Sequence, residues 1–124
     1  MFKVVQQNVI ESDEGLSIEI HWREKIIYRR QGHTLVVGGE MQVYLKERYH
    51  TSEDQYGFMI YLSSIKHWEK PYENETIDAA TRDSIIDDIA RALEFTGRRC
   101  ETDAPPTIEE LNRRYQEYKS TRKP

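Results

Sequence analysis

Residues 58–97 (FMIYLSSIKHWEKPYENETIDAATRDSIIDDIARALEFTG) constrain the fold more than any other part of the chain. An apolar run opens the stretch as a strand, a Trp–Pro–acidic loop follows, and an amphipathic helix closes it. Asp78 is placed to cap that helix, with residues 79–81 as its first turn. Ile85, Ile86, Ile89, Ala92 and Leu93 recur at helical spacing on one side, whereas Asp83, Asp87, Asp88, Arg91 and Glu94 fall elsewhere. Gly97 suits the left-handed residue that ends many helices. A helix with one apolar stripe has to bury it, and the strands expected before it offer the surface.

Those strands are read from period-2 alternation and turn residues. Residues 2–10 form a first strand, rich in Val and Ile. Residues 12–15 (SDEG) are a turn. Leu16, Ile18, Ile20 and Trp22 then alternate with Ser17, Glu19, His21 and Arg23, the cleanest strand in the chain. Residues 26–30 form a hairpin partner, and Gln31, Gly32 and His33 turn the chain into Leu35, Val36 and Val37. Gly38 and Gly39 break that run. Met41, Val43 and Leu45 alternate with Gln42, Tyr44 and Lys46 in another half-buried strand. Residues 49–55 are a loop, 57–62 the last strand of the meander, and 98–102 a short edge strand after the helix. Ala104, Pro105 and Pro106 make a rigid break, after which Thr107 and Glu110 form a capping-box pattern. Ile108, Leu111, Tyr115 and Tyr118 make the stripe of a second helix, its tyrosines packing on the domain. The expected class is α+β: a largely antiparallel β-sheet (meander), one amphipathic helix packed across it, and an appended C-terminal helix. Residues 1–103 are expected as one domain and 104–124 as a Pro-Pro-linked helix and tail.

A chain of 124 residues is long enough to bury a core without disulfides or metals. Charged residues are 32% of it, above the usual ~25%, so the core is thin and the surface highly charged. The single Cys100 forms no internal disulfide. The first ten residues (MFKVVQQNVI) lack a signal-peptide apolar region, and no apolar run approaches the ~20 residues that span a bilayer. A cytoplasmic protein without a membrane partner is expected. A net charge of −4 argues against a general nucleic-acid binder and suits a basic protein partner.

No constellation has the residue types and spacing of a catalytic site, so no enzyme and no cofactor is expected. His21, His33, His50 and His67 include no i, i+4 helical pair, and Cys100 has no C-x-x-C partner, so no metal is expected either. Ser63 and Ser64 lack a nucleophile elbow, and Gly38-Gly39 lacks the rest of a phosphate loop. The distinctive chemistry is acidic: residues 69–88 carry Glu69, Glu73, Glu75, Asp78, Asp83, Asp87 and Asp88 against Lys70 and Arg82, a net −5. One account is a solvated loop and helix face; the other is an acidic, aromatic-bearing patch that docks a basic protein, with Trp68 and Tyr72 beside it. The residues assigned to such docking are Trp68, Glu69, Tyr72, Glu73, Glu75, Asp83 and Asp87, as contacts and not as catalysts, with a core role also open to Trp68. The C-terminal helix and tail carry +2, which supports a second reading, a small nucleic-acid-associated regulator. A hydrolase using His33 or His50 is a third. Self-association stays open.

The segment GFMIYLSSIKHWEKPYENETI (residues 57–77), with its S-I-x-x-W-E-x-P core, resembles the immunity protein 74 family of polymorphic-toxin and contact-dependent inhibition systems. The resemblance continues through RDSIIDDIARALEFTG (82–97) and more weakly through HTLVVGGEM (33–41). The loop 44–55 and the Pro-Pro-linked helix depart from the family pattern. The resemblance implies a non-enzymatic antitoxin that binds a cognate toxin domain, often a nuclease with a basic substrate surface, which the acidic patch would complement.

Overall fold

Seven strands follow one another across a single sheet in chain order. The computed structural model describes residues 1–50, 52–103 and 108–121. Strands β1 (Phe2–Gln6), β2 (Val9–Ser12), β3 (Leu16–His21), β4 (Lys25–Arg30), β5 (His33–Tyr44) and β6 (Gln55–Ile60) pair antiparallel. A four-residue helix α1 (Lys46–Tyr49) lies between β5 and β6. The long helix α2 (Ala79–Phe95) carries the chain to β7 (Arg99–Thr102), an edge strand parallel to β6, and α3 (Ile108–Thr121) follows. The molecule is therefore α+β, with an antiparallel-rich sheet.

Two strand boundaries differ from the sequence reading. Residues 2–10 are not one strand but the β1–β2 hairpin, turned at Asn8 with a φ of 65°, a value that Asn tolerates better than most residues. Gly38 and Gly39 do not interrupt a strand either; they lie inside the twelve-residue β5. A Cβ on Gly39 would stand 2.1 Å from the Met59 carbonyl oxygen and 2.4 Å from the Phe58 ring. The glycine thus allows close approach of the neighbouring strand instead of ending its own. At the same point β5 changes partners. His33 to Gly38 pair with β4, and Gly39 to Tyr44 pair with β6.

Alternation along β3 and β4 places Leu16, Ile18, Ile20, Ile26 and Tyr28 on the inner face, where they join Leu35, Val37, Phe58 and Ile60. Helix α2 adds Ile85, Ile89, Ala92 and Leu93, each such side chain gaining about 1.5–3 kcal/mol from full burial where it is large and aliphatic. Asp78 caps α2 by accepting from the Thr81 backbone N–H at 2.7 Å, which lowers the Asp78 pKa. Gly97 has a φ of 76°.

Three side-chain expectations are corrected. Met41, Val43 and Leu45 are 47–52% exposed, and it is Tyr44 between them that is buried. Its ring covers Gly57 and carries the Arg99 guanidinium 5.1 Å from its centroid. Asp88, assigned to the polar side of α2, is 2% exposed. Ile85, Asp88 and Ala92 are spaced by three and four, so Asp88 belongs to the core strip despite its charge. On α3, Tyr115 is 57% exposed instead of packed on the domain, and Ile108 is 77% exposed. Thr107, Pro105 and Pro106, and the side chains of Glu110, Leu111 and Tyr118, lie outside the described residues. Among the described residues no helix is long and apolar enough to cross a membrane.

Candidate functional site

The Trp–Pro–acidic segment folds into a loop fastened to the start of β5. A 3₁₀ turn (Leu62–Ser64) precedes it, and Ser64 Oγ accepts from the Gly38 N–H at 2.8 Å. His67 and Thr76 pair in an isolated antiparallel bridge that closes the loop on itself. Within it, the N–H of Tyr72 donates to the Glu69 carbonyl and that of Glu75 to the Tyr72 carbonyl, both at 3.0 Å. The Lys70–Pro71 peptide bond is cis. The Glu69 N–H donates to the Thr34 carbonyl at 2.8 Å and ties the loop to β5.

Aromatic rings complete the attachment. Trp68 is 8% exposed and belongs to the core, its ring 6.3 Å from that of Tyr28. His33, the first residue of β5, meets Trp68 edge-on at 5.0 Å and stacks on Tyr72 at 3.8 Å. Its Nε2 lies 2.8 Å from Glu75 Oε2 and its Nδ1 3.2 Å from the Gln31 carbonyl oxygen. His33, expected as a solvated turn residue, is instead the hub between the β4–β5 turn and the loop. Its signal in the sequence was slight: a histidine after Gln31-Gly32, with no local partner.

Between this turn, the loop and the first half of α2 lies a cleft of about 470 Å³ lined by Tyr28, Arg30, His33, Glu75, Thr81 and Ser84 among others. Beneath it, Tyr28 Oη and Arg30 Nη1 donate to Asp88 Oδ2 at 2.6 and 2.7 Å. Arg91 Nη2 donates to Asp88 Oδ1 at 2.9 Å. Burial first, and the Asp88 carboxylate second, push the Tyr28 hydroxyl pKa up. Two arginines and a tyrosine therefore satisfy the buried carboxylate that the sequence reading left in solvent.

The acids assigned to docking stay at the surface. Glu69 and Glu73 are exposed, and Glu75, Asp83 and Asp87 have side-chain exposures of 54%, 75% and 67%. Spacings of three and four place Asp83 and Asp87 on the same helical strip as Ala80 and Ser84, two cleft-lining residues. Asp87 pairs with Arg91 at 3.0 Å, whereas Asp83 approaches Arg82 only to 4.0 Å. Glu69 and Glu73 form no ion pair among the described residues. Tyr72 is half-buried by its stack on His33, and Trp68 is the member of the set turned inward.

The groups that could do chemistry here are engaged or buried. Both His33 ring nitrogens face acceptors, leaving none free as a base. Burial pushes the Cys100 thiol up to about 12, far from a reactive thiolate at neutral pH. Among the described residues no group of three His, Cys, Asp or Glu side chains is disposed to hold a metal ion.

Compared with known families, residues 17–101 match immunity protein 74. The match covers about two thirds of the chain, and the chain belongs to that family. Membership makes it an immunity protein and implies a toxin as partner; such proteins are generally not catalytic. No curated protein and no solved structure matches it.

Proposed function

We propose that this chain neutralises a cognate toxin domain by tight stoichiometric binding, that the toxin is a nuclease with a basic substrate surface, and that the acidic loop and α2 are the contact. The family match over residues 17–101 carries the antitoxin part of this reading. The surface part rests on Glu69, Glu73, Glu75, Asp83 and Asp87, all exposed on the loop and α2, with Glu75 lining the cleft and Tyr72 in the same loop. Trp68 contributes chiefly by holding the loop. Clustered charge of one sign accelerates encounter with an opposite surface, and exposed carboxylates stand in for the phosphates of a nucleic acid. Residues 1–103 act as the toxin-binding domain, working in the cytoplasm of a cell exposed to contact-dependent or self-made toxin, with 104–124 appended to it.

The test is calorimetry against the toxin domain encoded beside this chain's gene, across a salt series. Nanomolar affinity that weakens with salt is expected. Replacing Glu73, Glu75 and Asp83 together by Lys should lower affinity at least about a hundredfold, two or more charge pairs being reversed. Undiminished binding and protection in that variant would move the interface elsewhere, and absence of binding by the folded wild type would remove the antitoxin reading.

A further inference from the structure

The surroundings of His33 satisfy only its doubly protonated form. Nδ1 faces the Gln31 carbonyl oxygen at 3.2 Å, and Nε2 faces Glu75 Oε2 at 2.8 Å. A carbonyl and a carboxylate both accept and neither donates. A neutral imidazole has a single N–H to give, an imidazolium two. Tyr72 lies face to face with the ring, 18° from parallel, and an electron-rich face favours a cation over a neutral ring.

Among the described residues, the charged groups of β4 and α2 beside the ring are occupied with one another. Arg30 of β4 stands opposite His33 in the strand ladder, but its guanidinium is drawn to Asp88 of α2 at 2.7 Å. Arg91 of α2 takes the second Asp88 oxygen. Tyr28 of β4 also donates to Asp88. From the loop, Tyr72 and Glu75 face the imidazole, and Glu75 is the charged side chain in hydrogen-bond contact with it.

We infer that His33 is a charged clasp: as an imidazolium it fastens the acidic loop to the β4–β5 turn in its toxin-binding shape, so that toxin affinity falls as His33 loses its proton. This inference rests on the reading of the loop as the contact surface. His33 acts through Tyr72 and Glu75 and is a positioning residue. The loop is also held by the Glu69–Thr34 backbone bond and the His67–Thr76 bridge, so release of the clasp loosens the loop without unfolding it. The sign follows from the partner. The hydrogen bond from Nε2 to Glu75 raises the His33 pKa above its ordinary 6.5. The clasp is therefore complete below pH 6.5 and opens as pH climbs through the raised value.

Two measurements decide the matter. In the free, isotope-labelled protein, the His33 ring is titrated by NMR from about pH 5.5 to about 9, in wild type and in Glu75→Gln. His33 should titrate above 6.5, and Glu75→Gln should bring it down. Calorimetry with the neighbouring toxin domain over the same range should show wild-type affinity falling about three- to tenfold, the worth of one hydrogen bond. His33→Gln should bind weakly throughout and remove that slope. If His33→Gln does not fold, Glu75→Gln takes its place and is read by its pH slope alone, which should vanish, because Glu75 is itself in the proposed contact surface.

A His33 pKa at or below the ordinary value overturns the clasp. So does a His33→Gln variant that keeps the wild-type slope while Glu73→Lys/Asp83→Lys binds poorly, a result that leaves the contact surface standing. If neither variant affects binding, the contact surface itself is wrong, and the inference falls with it.

Discussion

The two halves of β5 share one strand and have opposite fates. From His33 to Gly38 the strand pairs with β4, buries Leu35 and Val37 to 1% and 0% exposure, and receives the loop through His33, Thr34 and Gly38. From Gly39 to Tyr44 it pairs with β6, leaves Met41 and Val43 about half exposed, and buries Tyr44 on the other side. Apolar alternation is as good in the second half as in the first. The difference lies in what packs against the strand: Leu35 and Val37 share one core cluster with Trp68 and α2, whereas among the described residues the Arg98–Trp22–Tyr56 cluster is what lies beside Met41. Burial in a sheet is decided by the layer above it, and strand periodicity reports only which residues share a face.

The sharpest way to break this division is at its midpoint. Gly39→Ala places a Cβ against the Met59 carbonyl, and neither backbone can retreat without disturbing the ladder. It should cost on the order of 3 kcal/mol or more in urea denaturation. A loss under about 1 kcal/mol would mean that the strands part easily there, a milder cost than core overpacking usually brings.

The next comparison sets the halves side by side. Leu35→Ala should cost about 3 kcal/mol, as large-to-small core changes do, whereas Val43→Ala should stay within about 0.5 kcal/mol, as at ordinary surface positions. Equal costs would show that something covers the second half in solution. A smaller contrast separates two neighbouring acids of α2. Asp88→Asn keeps the shape but removes the charge that Arg30 and Arg91 share, and should cost about 2 kcal/mol, reduced by the partial exposure of both arginines. Asp87→Asn, on a surface i, i+4 pair, should cost no more than about 0.5 kcal/mol.

Most of the fold was legible because its elements are local. The β3–β4 hairpin, the Asp78 cap, the α2 stripe, Gly97 and the short edge strand after the helix all follow from residues a few positions apart. Gly38-Gly39 was misread because a glycine that admits a neighbouring strand and one that breaks its own look alike in sequence. Asp88 was misplaced because charge outweighed position, although its spacing from Ile85 and Ala92 put it on the buried strip. Its partners Tyr28 and Arg30 lie 60 and 58 residues away, beyond any local pattern. The His33–Glu75 contact spans 42 residues and was hidden for the same reason. The acidic loop itself was visible as composition, but not its fastening.

That fastening divides the loop into residues that the fold requires and residues that it does not. Trp68, Tyr72 and the Glu69 backbone hold the segment in place, whereas the Glu69 and Glu73 side chains project from it without an ion pair among the described residues. An exchange at Glu69 or Glu73 therefore changes the charge of the loop surface while costing the fold little. The outside of the loop is thus free to change its charge while the frame beneath stays as it is.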